Sequence, residues 1–326
     1  MTLKGNGRYC SLAMLIAAAM VGPAAAQGYP SKPVRMVIPY PAGGGTDITA
    51  RPIAQRLGEI WGRQVLIDNR SGGNGMIGAD IVAKSASDGY TVLVSAASEM
   101  TMNVVLFRKM PYDPVGDFQP VTLATTTPAL LMAHPSLPVK SVKELIALAK
   151  SRPGALSYAS VGNGTPQHFA GELVKHMVNI DWVHVPYKGA APALVDLVGG
   201  HVPVGFVALL PAIPHVRSGR LRPLAVTSAQ RSSALAEVPT LAESGLAGFD
   251  IIQWFAFWVP AKTPKDIVER LNSEIVKIVQ SPDYRQRMTD AGTDAVGSTA
   301  DYLGKLQKSE IEKYRRIAKL AGIQPE

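Results

Sequence analysis

Cysteine is all but missing from this 326-residue chain. The single one, Cys10, comes before an apolar run, whereas a lipoprotein anchor would place it after that run. Nothing beyond it carries a thiol, which excludes disulfides, thiolate metal sites and cysteine nucleophiles. Long blocks of one charge are missing too. Lys and Arg are scattered, and the densest group, Lys313, Arg315 and Arg316, is interleaved with Glu310 and Glu312. That is a solvated helix face, so nucleic acid is not expected as a partner. There is no G-x-S-x-G elbow, no H-E-x-x-H zinc motif and no P-loop lysine. No apolar run approaches the roughly 20 residues that cross a bilayer.

What is present begins with an address. Lys4 and Arg8 precede the run Leu12 to Val21, and Pro23-Ala24-Ala25-Ala26 supplies the small residues that signal peptidase reads. Residues 1–26 are therefore expected to be a signal peptide cleaved near Ala26, leaving Gln27 first. The other reading is a buried N-terminal helix, which the length and flanks disfavour. Cleavage removes two cations and lowers the net charge from +8 to +6, a moderate excess that attracts anions over long range. With no crosslinks, about 300 residues must rest on hydrophobic cores, more comfortably as two lobes than one.

Short β-rich runs alternate with helical patterns, which predicts an α/β fold of largely parallel sheets. Strands are expected at 34–40, 64–69, 91–95, 156–160, 182–185, 202–208 and 224–227, with an aromatic-rich one around Trp254, Phe255, Phe257 and Trp258. A helix after Thr46 places Ile48, Ile53, Leu57 and Ile60 near one face. Ser141 to Glu144 reads as a capping box. Thr263-Pro264 reads as an N-cap followed by a proline at the first helical position. The order fits a second lobe (125–225) inserted into a first (27–124 and 226–326).

Three strand-to-helix corners have the composition to hold an anion. The first is Tyr40-Pro-Ala-Gly-Gly-Gly-Thr-Asp47, where glycines admit a ligand close to the backbone and the following helix offers unpaired N–H groups. A plain tight turn accounts for the same glycines. The second is Ser157 to His168, rich in hydroxyls and glycine. The third, Val185 to Pro192, carries Lys188, which is equally a solvated loop lysine. Open α/β sheets bind ligands at such C-terminal strand ends, and two lobes so equipped can close on a guest. Asp47 reads more simply as a helix cap than as a base. His168 and Glu172 sit four apart on a helix, but no third ligand accompanies them, so no metal and no cofactor are expected.

The motifs PYPAGGGTD (39–47), VLIDNRSGGNGMIG (65–78), SDGYTVLVS (87–95), YDPVGDFQPV (112–121), SYASVGNGTPQH (157–168), HVPYKGAAPAL (184–194), LAVTS (224–228) and VPTLAESGLAGF (238–249) occur in order. Together they resemble the substrate-binding proteins of tripartite tricarboxylate transporters, the Bordetella uptake gene family, over nearly the whole mature chain. The resemblance implies a periplasmic, non-enzymatic, two-lobed binding protein with a hinge. It implies capture of a small carboxylate, a dicarboxylate or an aromatic one, for inner-membrane transporter subunits. A ligand-sensing partner of a signalling system, or an exported hydrolase or isomerase, are the alternatives. A monomer is expected of a protein that closes around its ligand. Carried over by residue, the first lobe contributes Tyr40, Ala42, Gly43, Gly44 and Asp47, with Ser95 and Ser98. The second contributes Ser160, Gly162, Thr165, His168, Lys188 and Gly189. In one place the chain departs from its relatives: Phe206-Val207-Ala208 offers no acid or amide. If Val207 and Ala208 line the cleft, the ligand is expected to have an apolar or aromatic body.

Overall fold

The computed structural model describes residues 28–325, so the signal segment and its cleavage point lie outside the described residues. The chain opens on β1 (Val34–Ile38), buried almost throughout as a strand covered on both faces requires. A glycine turn feeds α1 (Gly45–Trp61), where Ile53 and Leu57 reach the core while Ile60, in the last turn, is 52 % exposed. Next come β2 (Val65–Asn69), α2 (Met76–Ala83) and β3 (Thr91–Ala96). One π turn, Ser98–Met102, then runs into α3 (Asn103–Leu106).

The long strand β4 (Phe118–Ala133) follows, then α4 (Val142–Ser151), β5 (Leu156–Ser160), α5 (Pro166–Val178) and β6 (Trp182–Pro186). After these come α6 (Ala190–Val198), β7 (Val204–Ala208), α7 (Leu209–Arg217) and β8 (Arg222–Val226). The chain finishes with β9 (Ile252–Pro260), α8 (Lys265–Val279), α9 (Pro282–Asp290), the short β10 (Asp294–Ala295) and α10 (Ala300–Ala321). Two helix starts differ in detail from expectation. Ser141 caps α4 by accepting the Glu144 N–H, but the Glu144 carboxylate takes the N–H of Lys140 instead of closing back on Ser141. Thr263 donates to the Pro260 carbonyl, so Pro264 becomes the N-cap and α8 begins one residue later.

The strands form the path β2-β1-β3-β9-β4-β7-β5-β6, with β8 and β10 also paired to β4. Three parallel strands make the outer part of each lobe: β2-β1-β3 in the first and β6-β5-β7 in the second. The crossing strands β9 and β4 are antiparallel to their neighbours, which makes the sheet mixed. β4 belongs to both lobes. From Phe118 to Pro128 it pairs with β9, and from Ala129 to Ala133 with β7 and β8. The boundary expected at 124/125 lies inside this strand, and the one at 225/226 lies at the end of β8.

Core packing follows this division. Val34, Met36 and Ile38 meet Ile53, Leu57, Leu271 and Ile275 in the first lobe. Leu130, Leu194, Leu197 and Leu209 meet in the second. A third cluster, which includes Trp254, Trp258, Tyr158, Phe206 and Phe169, runs across both. α10 braces the two lobes. Its Gln307 donates to the carbonyls of Met100 and Pro114, and its Tyr314 ring meets Phe169 of α5 edge-on at 4.9 Å.

Gly171 lets α5 lie against β5, because a Cβ there would stand 2.2 Å from the Tyr158 ring. Gly171→Ala is therefore expected to destabilise the protein by about 1–3 kcal/mol despite the better helix propensity of alanine. Urea denaturation checks this. An unchanged midpoint would mean the helix has room to stand off the strand.

Candidate carboxylate site

The corner after β1 is organised by Asp47. Its carboxylate accepts from the Gly43 N–H (2.9 Å), from Asn69 Nδ2 (3.2 Å) and from Arg51 Nε (2.6 Å). Burial works to raise its pKa, but Arg51, the Gly43 amide and Asn69 outweigh it and hold the group below the usual carboxylate range. Asp47 is thus a fixed anion that shapes the loop, and the Gly43 N–H is committed to it. The amides left over are those of Gly45, Thr46 and Asp47, which find no acceptor among the described residues. In front of them stands Gly44, an N-cap with no side chain to take them.

Tyr40 points elsewhere. Its hydroxyl donates to Glu99 Oε2 at 2.8 Å, beside Ser98, in the π turn after β3. The other Glu99 oxygen takes the Ala96 N–H at 2.7 Å, and a Cβ on Gly75 would lie 3.0 Å from the same carboxyl. Glu99 is fully buried, and burial pushes its pKa up to about 8. One acid therefore ties together the corner after β1, the corner before α2 and the end of β3. Ser95 is fully buried, and its hydroxyl accepts the Trp258 indole N–H at 2.8 Å. Its side chain serves the core.

In the second lobe, Ser160 Oγ lies 2.7 Å from His184 Nε2 and 3.2 Å from the Gly162 amide. Thr165 donates to the Gly162 carbonyl and accepts the His168 N–H, capping α5. The Gly164 N–H donates to His168 Nδ1 at 3.1 Å, which places the proton of the neutral ring on Nε2. His168 stacks on His184 with centroids 4.2 Å apart, and His184 stacks on Tyr158 at 4.9 Å. Burial lowers both histidines, His184 to about 3, so the stack is neutral. Glu172 accepts the Tyr158 hydroxyl at 2.7 Å. The corner after β6 is joined to this one, since the N–H groups of Tyr187 and Gly189 donate to Ser160 and Val161. Gly189, at φ +108°, is the N-cap of α6 and again offers no capping side chain. Lys188 is exposed and makes no ion pair among the described residues.

One expectation is overturned. Val207 does not line a cleft with its side chain, because successive strand residues point to opposite faces. Phe206 enters the shared core, and Val207 enters the second-lobe core against Leu130, fully buried. Ala208 ends the strand half-buried as the N-cap of α7. The aromatic-ligand expectation loses its Val207 support.

The lobes do meet over a common space. A cavity of ≈ 500 Å³ is lined by Asn74, Leu106 and Phe107 from the first lobe, by Asn163, Gly164 and His168 from the second, and by Ile323 and Gln324 of the C-terminal tail. Of the residues expected at the site, His168 alone lines this cavity. Those of the β1 corner, Ser160, Gly162, Thr165, Lys188 and Gly189 lie outside its lining. Sequence reading missed Glu99, His184, Asn74, Asn163 and Gln324. Among the described residues no cluster of three His, Cys, Asp or Glu side chains is poised for a metal, and no helix is long and apolar enough to cross a membrane.

Comparison with known proteins agrees with this architecture. BugT of Bordetella pertussis is 35 % identical over 306 residues, covering 94 % of each chain. The solved structure of Rpa4515 from R. palustris with adipate superposes with a TM-score of 0.80 at 38 % identity, covering 91 % of this chain and all of the other. MatC from Rhodopseudomonas palustris, with bound malate, gives a TM-score of 0.74 at 31 % identity, covering 89 % and 99 %. The family model described as the tripartite tricarboxylate transporter family receptor matches residues 49–323. By sequence and by fold alike, the chain belongs to the tripartite tricarboxylate transporter receptor family.

Proposed function

We propose that this protein is a periplasmic receptor that captures a small carboxylate between its lobes and presents it, unchanged, to the membrane subunits of a tripartite transporter. The observation that carries this reading is the pattern of helix starts. The helices that follow β1, β2, β6 and β7 begin without a capping side chain, as does α8 at Pro264, and three of them begin at the bare glycines Gly44, Gly75 and Gly189. After Gly75 the amides of Met76 and Ile77 already turn back on the Gly73 and Gly72 carbonyls, which leaves the Gly44 and Gly189 corners open. By contrast α4, α5, α9 and α10 are each capped by a Ser or Thr hydroxyl. Amide groups left unpaired at glycine corners suit a carboxylate oxygen, aided by the helix dipole. The excess of positive charge in the mature chain and the exposed Lys188 favour the same sign of guest. Adipate and malate in the solved relatives support the chemical class.

The close Ser160–His184 pair does not argue for hydrolysis. Ser160 is fully buried, and no carboxylate orients His184 from its other nitrogen among the described bonds. The pair fixes the loop. Native mass spectrometry of the protein as purified is expected to show one small acid per chain, recovered chemically unchanged after prolonged incubation. Turnover of that acid, or the absence of stabilisation by any C4–C8 carboxylate in a thermal-shift screen, would overturn the reading.

A further inference from the structure

We propose that the cavity beside His168 is a charge-free polar subsite that takes the uncharged, hydrogen-bonding end of the ligand, a carboxamide or a hydroxyl. This deepens the reading above and rests on it, with the glycine corners holding the carboxylate at the other end. The lining explains the choice. It contains three carboxamides (Asn74, Asn163 and Gln324), one imidazole, and the apolar side chains of Leu106, Phe107 and Ile323, but no Lys, Arg, Asp or Glu. An ionised group moved into such a space gives up water without meeting a counter-charge.

Two of the polar groups are fixed in role. Asn74 sits in the left-handed region at φ +52°, where asparagine is tolerated better than most residues. Its Nδ2 donates to Asn103 Oδ1 at 2.7 Å, while Asn103 Nδ2 donates back to the Asn74 carbonyl at 3.0 Å. That bracket leaves Asn74 Oδ1 as an acceptor. His168 has its Nδ1 occupied by the Gly164 amide, which leaves Nε2–H as a donor. Asn163 and Gln324 are exposed, hold no partner among the described residues and are free to turn either face of the amide inward. A carboxamide or hydroxyl answers a fixed acceptor and a fixed donor together. A carboxylate only accepts, and sets its charge against Asn74 Oδ1.

The tail is built into this subsite. Ile323 N–H closes on the Ala318 carbonyl at 2.9 Å, and Arg108 Nε donates to the Pro325 carbonyl at 3.2 Å, which positions Gln324 between them. The lobes also touch here, since a Cβ on Gly164 would lie 2.5 Å from Leu106. A group bound in the cavity therefore bridges first-lobe and second-lobe residues.

The test is isothermal titration of the full mature protein, tagged at its N-terminus, with matched C4–C8 sets: the diacid, its monoamide, the ω-hydroxy acid and the plain monoacid. In the best-fitting length, the monoamide or hydroxy acid is expected to bind at least tenfold tighter than both the monoacid and the diacid. In Asn74→Gly, which suits the left-handed backbone and removes the Oδ1 acceptor, and in His168→Phe, which keeps a ring in the stack and removes the Nε2–H donor, that ratio is expected to fall below threefold, with melts of the unliganded variants checking that each folds. Diacids that bind tenfold tighter than their monoamides, or a preference that survives in folded Asn74→Gly and His168→Phe, would overturn the subsite and leave the carboxylate reading standing. If no acid of any length binds, the carboxylate reading falls first and the subsite with it.

Discussion

Gly44→Val is expected to abolish carboxylate binding while the fold stands. Gly44 has φ −75° and ψ 170°, an ordinary extended conformation, and a Cβ there would meet only the Pro41 carbonyl at 3.4 Å. Backbone geometry does not demand glycine at this position. What glycine supplies is empty space before the first turn of α1, where three amides lack an acceptor. A valine fills that space with methyl groups. Ligand at 100 times its Kd adds about 2.7 kcal/mol of apparent stability to the parent, and the variant is expected to lose nearly all of it. The unliganded protein should change by about 1 kcal/mol or less, since N-cap valine ranks below glycine. Gly44→Ser separates space from charge. A serine hydroxyl would accept one of the free amides, stabilise the unliganded protein by up to about 1 kcal/mol and weaken binding by competition. Thermal melts with and without ligand read both variants. Undiminished ligand stabilisation in Gly44→Val would place the carboxylate away from α1. Gly43→Val is the poorer probe, because φ +82° strains any β-branched residue there.

Glu99→Gln is expected to remove a pH dependence of stability worth several kcal/mol. The unfolded glutamate titrates near 4.5, and burial raises the folded group to about 8. Between those values the folded state keeps a proton that the unfolded chain has released. Stability therefore falls as pH rises through this window, by about 1.4 kcal/mol per unit. Glutamine copies the protonated acid. Its oxygen accepts the Ala96 N–H, and its amide donates to the Tyr40 hydroxyl oxygen. Parent and variant should be similar near pH 5, and by pH 8 the variant should be the more stable. The depressed His168 and His184 add a slope of opposite sign below about 6.5, but it is common to both proteins and cancels in the difference. Denaturant titrations from pH 5 to 8.5 decide it. Parallel profiles would mean that Glu99 is ionised and solvated.

The alternation of strands and helices was legible because the parallel strands are short apolar runs punctuated by glycine. β1, β5 and β6 lie where their sequences place them. β4 was not legible. Its sequence FQPVTLATTTPALLMA carries two prolines, which argue against one continuous strand even though its threonines favour the extended state. In the fold, Pro120 sits beside a register shift and Pro128 at the last pair with β9, so neither interrupts a regular ladder. The corners were identified by their glycines, but which amides stay free depends on the side chain that bends back. Asp47 claims Gly43, a choice that spacing alone does not reveal. Val207 was misread because the strand's phase depends on partners in two other elements. Glu99 left one unused clue, a lone acid among Ala, Met and buried residues.

The first lobe is stitched from the two ends of the chain, and β9, the strand that joins β3 to β4, arrives late. The Trp258–Ser95 bond spans 163 residues, and β3 has no neighbour on that side until β9 is made. Contacts so distant in sequence close slowly. A nascent chain that has reached the second lobe still carries an unpaired apolar edge at β3, and that edge stays open until nearly four-fifths of the chain has been synthesised. Were the chain exported as proposed above, that delay would keep it thin enough to be threaded through a membrane channel before it acquires shape.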